Sequence, residues 1–137
     1  MNDIFIDFLT EGNLSGIIYM NKINIHANDD NGLFIWACYF GHLHIVEYFV
    51  NLYKIRPNYT KINIHINDEY GFRIACEHGY KHIVKYLINL HKIQPIYAKI
   101  NIHANNEDGF IVACNNGHKH IVKYLLSCGC YLERCVF

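Results

Sequence analysis

Ten histidines and six cysteines in a chain of 137 residues make up a set of residues able to bind metal. Zinc takes four ligands of these types at about 2.0–2.3 Å. Their placement argues against a shared ion. His26, His65 and His103 occupy one recurring position, His44, His82 and His120 a second, and Cys38, Cys76 and Cys114 a third. Packed helices lie about 8–10 Å apart, so equivalent residues of successive copies are too distant to ligate one ion. Copying of a structural unit explains these residues, and no metal or other cofactor is expected. The histidines at 26, 65 and 103 are expected to hydrogen-bond backbone between units. The cysteines of the "AC" pairs are expected to act as small buried hydrophobes.

The tail "SCGCYLERCVF" stands apart, because Cys128, Cys130 and Cys135 are not copied. They could bind a metal or cross-link two chains, but spacing nominates no fourth ligand. A frayed cap with adventitious thiols is the simpler reading. Nucleophilic catalysis needs a cysteine beside a base in a pocket, and an active site has no reason to occur three times. There is no glycine-rich phosphate loop and no carboxylate pair in a distinctive setting, so no enzyme and no catalytic residue is expected.

Composition narrows the class further. Hydrophobic residues make up 52% of the chain, which favours a folded domain. Twelve basic residues balance twelve acidic ones, which argues against nucleic acid or an anionic membrane as partner. No apolar run reaches the length of a membrane span. The start, "MNDIFIDFLTEGN", carries acids and no early lysine or arginine, unlike a secretory signal. A soluble intracellular protein, in the cytoplasm, with six reduced thiols is the expectation. Abundant isoleucine, asparagine, tyrosine and lysine point to AT-rich coding.

The elements that carry these residues repeat. Lys22, Lys61 and Lys99 each open "KINIH", 39 and 38 residues apart, and Gly41, Gly79 and Gly117 recur at intervals of 38. A fainter copy, Phe8 to Met20, aligns on Gly12; Gly16 replaces an isoleucine there, which is expected to weaken its packing. Four units follow, spanning about 1–21, 22–60, 61–98 and 99–137, the first degenerate.

Each unit predicts two helices and an arm. In the third, Phe72, Ala75 and Cys76 share a stripe that Gly79 ends. Ile83, Val84, Leu87 and Leu90 share one face of the next helix, with Lys81, Lys85 and Lys92 mostly opposite. Pro57 and Pro95 stop the second helices. In the arm, Ile62, Ile64 and Ile66 alternate with Asn63, His65 and Asn67, an extended pattern. Short helix pairs bury their apolar faces only by stacking, so the fold expected is an all-α repeat solenoid with short extended arms.

The sequences "GHLHIVEYF", "GYKHIVKYL" and "GHKHIVKYL", each with "AC" four residues before its glycine, resemble the ankyrin repeat. The form is most similar to the divergent repeats common in giant-virus proteins. Three departures stand out. "GFRI" and "GFIV" replace the usual Thr-Pro-Leu-His turn. The units exceed the family's length of about 33 residues. The excess lies in "NLYKIRPNYT" and "NLHKIQPIYA", which predict a longer second helix; the last unit lacks it.

The resemblance implies a binding module whose partner docks in a concave groove of first helices and arm tips. Carried over by position, the groove residues are Tyr39 and Phe40, Glu77 and His78, and Asn115 and Asn116, with Thr10 and Glu11 in the first copy. They vary where neighbours such as Ala37, Ala75 and Ala113 are copied. Trp36 reads as a core or groove-wall residue. Asp29, Asp30, Asp68, Glu69, Glu107 and Asp108 fall at arm tips, against Lys54, Arg56, Lys85, Lys92 and Lys123 on the second helices and their ends. An acidic groove edge for a basic or amide-rich protein is one reading. Acids placed to favour the helix dipole are the other. A viral likeness implies a host protein as partner. The alternative is a structural unit that pairs with its own copies through terminal units or the cysteine tail.

Overall fold

A computed structural model describes residues 3–23, 30–55 and 61–130. Among them are eight helices and no strand, as the helix-pair pattern requires: α1 Asp3–Glu11, α2 Leu14–Ile23, α3 Asp30–Phe40, α4 Leu43–Ile55, α5 Ile66–His78, α6 Lys81–Ile93, α7 Ala104–Asn115 and α8 Lys119–Ser127. The chain divides into two compact units, Met1–Ile64 and His65–Phe137, each holding two helix pairs. In the first unit α1 packs on α2, α3 on α4, and α1 on α3. In the second, α5 packs on α6, α7 on α8, and α5 most extensively on α7.

The predicted stripes are the core. Phe72, Ala75 and Cys76 of α5 are fully buried, as are Ile83, Val84, Leu87 and Leu90 of α6. Pro95 follows the end of α6 at Ile93, and Pro57 lies outside the described residues. The second helices of the longer units are extended as expected: α4 and α6 have 13 residues, α8 only 9.

Glycines fix how closely neighbours approach. Gly79 has φ +81, and a Cβ there would lie 2.6 Å from the His118 ring. Gly12 has φ +72, with the His42 ring 2.8 Å from the same point. Only glycine combines this left-handed backbone with an imidazole laid over it. Gly16 departs from the expectation of weak packing. A side chain there would lie 2.6 Å from the Phe8 ring, so the missing isoleucine is replaced by the aromatic ring of α1. At Gly109 the same arrangement lets α7 come within 2.7 Å of Phe72, measured from the missing Cβ.

The arms differ from the extended pattern at their ends. Ile62, Ile64, Ile100 and Ile102 are buried and their polar neighbours are largely exposed, as alternation predicts. The backbone then turns left-handed for three consecutive residues, Asn67, Asp68 and Glu69 (φ 55, 53 and 62), and again at Asn105, Asn106 and Glu107 (φ 55, 56 and 64). L-residues enter this region at about 1 kcal/mol or more each, and asparagine and aspartate enter it most readily.

The expectation of six reduced thiols holds for Cys38, Cys76, Cys128 and Cys130 and fails at Cys114, which is disulfide-bonded. That expectation was a compartment argument; a disulfide also requires that two Cβ atoms meet, which repeat spacing does not reveal. Cys38 and Cys76 behave as the buried hydrophobes expected. Burial raises both thiols far above the ordinary range, leaving almost no thiolate at neutral pH.

The glycine geometry separates two substitutions. Gly117 has φ +71, but open space surrounds its missing Cβ. Gly117→Ala should cost only backbone strain, about 1 kcal/mol. Gly79→Ala must also push out the His118 ring and should cost about 2–3 kcal/mol. Urea unfolding of both variants measures the difference, and equal losses would contradict the ring's role.

Candidate functional site

The chain around Gly12 and Gly79 is held by side-chain bonds from the next copy. His42 Nε2 lies 2.9 Å from the Thr10 carbonyl oxygen, and His44 Nε2 2.7 Å from that of Gly12. In the second unit the Glu77 carbonyl accepts twice, from His118 Nε2 at 2.8 Å and Asn116 Nδ2 at 3.0 Å. These carbonyls lie at helix ends, where no intrahelical donor remains. So the histidines that bond backbone between copies are His42 and His118, each next to a turn glycine, and His44, three residues past one. The expectation for the arm histidines is corrected: His65 and His103 pair with carboxylates instead, and His26 lies outside the described residues.

The varied side chains stand at the C-terminal ends of the first helices. In the first unit Thr10 and Glu11 are exposed, Tyr39 is 40% exposed and Phe40 is half-buried. Tyr39 and Phe40 meet edge to face at 5.2 Å, and Trp36 stacks on Phe40 at 5.7 Å and meets Tyr39 at 5.5 Å. Trp36 is 41% exposed and so belongs to this aromatic cluster rather than the core. In the second unit Glu77, His78, Asn115 and Asn116 are all exposed, and the His78 ring stacks on Tyr80 at 5.7 Å.

The acids placed at arm tips divide into three kinds. Asp68 is exposed. Asp108 receives Arg73 Nη1 at 3.0 Å, while the same guanidinium donates to the carbonyls of Asn67 and Asp68 at 3.0 and 2.9 Å. Arg73 thus satisfies the left-handed turn of its own copy and holds the next. Glu69 departs most from a groove edge. Only 4% exposed, it accepts from His65 Nδ1 at 2.7 Å and from the Asn101 backbone N–H of the following arm. A turn that points its glutamate inward, where two donors wait, cannot present it to a partner. Asp29 and the side chain of Asp30 lie outside the described residues.

Glu107 repeats only half of this arrangement. His103 Nδ1 lies 2.5 Å from its Oε1, but its Oε2 is buried with no hydrogen-bond partner. Cys130, 2% exposed, lies close by. The His103 nitrogen, a Glu107 oxygen and the Cys130 sulfur are all within 4.8 Å of one another. Sequence reasoning compared equivalent histidines and cysteines, which stay apart, and missed this set because its members hold unlike positions. The four-residue spacing of His103 and Glu107 was the available signal.

Of the predicted basic back, Lys54, Lys92 and Lys123 are exposed. Lys85 instead lies along α8, its Nζ 5.1 Å from the centre of the Tyr124 ring, whose hydroxyl accepts from Asn89 Nδ2 at 2.7 Å. Arg56 lies outside the described residues.

Removing the Glu69 carboxylate strands the Asn101 N–H and a histidine donor, so Glu69→Ala should cost about 2–3 kcal/mol. Glu107→Ala removes one partly exposed pair and should cost under about 1 kcal/mol. Denaturant midpoints compare them; similar losses would mean that the bond from Glu69 to the next arm contributes nothing.

No helix among the described residues is long and apolar enough to cross a membrane. Neither the curated proteins nor the solved structures gave a match. The family model of ankyrin repeats, in three copies, matches residues 34–134. That span runs from within α3 past the end of α8, most of the chain, so the chain belongs to the ankyrin-repeat family.

Proposed function

We propose that this chain is a non-catalytic module that binds a protein partner through the concave side of its first helices and arm tips. Ankyrin repeats are in general protein-interaction scaffolds, and the chain shares their helix pairs. The observation that carries the finer reading is the Trp36–Tyr39–Phe40 cluster. Two of its three rings are about 40% exposed, at the position where the copies differ most. Clustered aromatics of this kind are frequent interface anchors, because they bury large area with little loss of side-chain freedom. Glu77, His78, Asn115 and Asn116, with Asp68 as an exposed acid, are the polar contacts that the second unit contributes in this reading. With Glu69 buried and Asp108 paired to Arg73, the acidic edge is smaller than the sequence predicts, and apolar contact dominates the partner's side.

Affinity capture from cell lysate tests the proposal. Tyr39→Ala/Phe40→Ala should lose the prey that the wild type retains, by tenfold or more, with the helical circular-dichroism signal unchanged. Glu77→Ala/His78→Ala should weaken the same prey by a smaller factor. Retention of that prey by both folded variants would refute the surface. A stable homodimer that persists on dilution and captures nothing would favour the structural reading instead.

A further inference from the structure

The second unit contains the same turn twice, and the two differ at one atom. Around Glu69 both carboxylate oxygens are used, one by His65 and one by the N–H of Asn101. Around Glu107 the backbone is nearly superimposable in φ and ψ, and the histidine pair is kept. No arm N–H reaches Oε2 there, and that atom is buried without a hydrogen-bond partner. An acceptor left this way costs about 1–3 kcal/mol, or more when charged. The chain after α8 brings a buried cysteine to the place instead. Cys130 is not placed to relieve the oxygen as a thiol donor, since no hydrogen bond joins them.

We propose that His103 Nδ1, the Glu107 carboxylate and Cys130 Sγ form a binding site for a divalent transition-metal ion, zinc foremost. Nitrogen, oxygen and sulfur together are a donor set that zinc accepts and that calcium and magnesium do not. Bond lengths of about 2.0–2.3 Å place tetrahedral ligand atoms about 3.3–3.7 Å apart. The three atoms already lie within 4.8 Å of one another. Closing on an ion draws the sulfur inward and opens the 2.5 Å histidine–glutamate contact by about 1 Å, which side-chain rotation supplies. The imidazole binds through Nδ1 with its proton on Nε2, and the Cys130 proton leaves to solvent as the metal–sulfur bond forms. Three protein ligands leave one coordination position for water or another donor. The ion would tie the segment after α8 to the arm before α7, as the Asn101 bond ties the preceding copy.

Cobalt titration tests this on the full chain, anaerobically and without added reductant, so that the Cys114 disulfide is kept. One equivalent of Co2+ should give a near-ultraviolet thiolate-to-metal band and the visible bands of a four-coordinate ion, both displaced by Zn2+. Cys130→Ser should abolish the thiolate band, and Cys128→Ser should leave it unchanged. His103→Gln and Glu107→Gln should each weaken binding at least about tenfold. Because His103 is exposed, its variant decides the matter if the serine variant does not fold. Absence of the band at stoichiometric cobalt, its survival in Cys130→Ser, or unchanged affinity in folded His103→Gln would overturn the site.

Discussion

Everything in each unit rests on how helix-end carbonyls are satisfied. A helix leaves its last carbonyls without intrahelical donors, and short helices leave a large share of their backbone in that state. Here the donor comes from the neighbouring copy, as His42 and His118 reach the carbonyls of Thr10 and Glu77. The ring lies over a left-handed glycine that has no side chain to obstruct it. One contact therefore ends a helix, fixes the spacing of two copies and leaves the side chains just before the glycine directed outward. Stacking of apolar faces supplies most of the stability, but it is non-directional. The histidine bond supplies the register.

The arm end addresses the opposite problem. Three left-handed residues near the start of α5 and of α7 are unfavourable for L-amino acids, and the surrounding groups compensate. Arg73 donates to two carbonyls of its turn, and Glu69 gathers a histidine and a backbone N–H beneath it. The acids and histidines that look on paper like a charged binding edge are in part the internal fastenings of this turn. Fewer of those acids are left to meet a partner.

Much of this was legible in the sequence, and the part that was not has a physical cause. Repeat spacing and apolar periodicity located the helix pairs and the buried stripes, because those depend on local pattern alone; the longer second helices followed from the excess over the ankyrin repeat's usual length. The left-handed turn at Asn67–Glu69 was read as a continuation of an extended arm, since alternating isoleucine and asparagine give no sign of where the alternation stops. Glu69 was placed outside for the same reason: one residue's φ decides whether its side chain faces water or the arm of the next copy. Gly16 was judged a defect because its neighbour Phe8 lies eight residues back, and close approach of two helices is invisible to periodicity. The grouping of His103, Glu107 and Cys130 arises from the chain's path after α8, which no spacing rule specifies.

The imidazole over the turn glycine also bears on how such an array can grow. Glycine and histidine sit in different copies, Gly12 with His42 and Gly79 with His118. Duplicating a whole copy of this kind carries a glycine and a ring together, so that such a pairing can form again at the new junction. A break that adds or removes half a copy orphans a carbonyl on one side and a ring on the other. Whole-period steps are therefore the ones that keep these contacts intact.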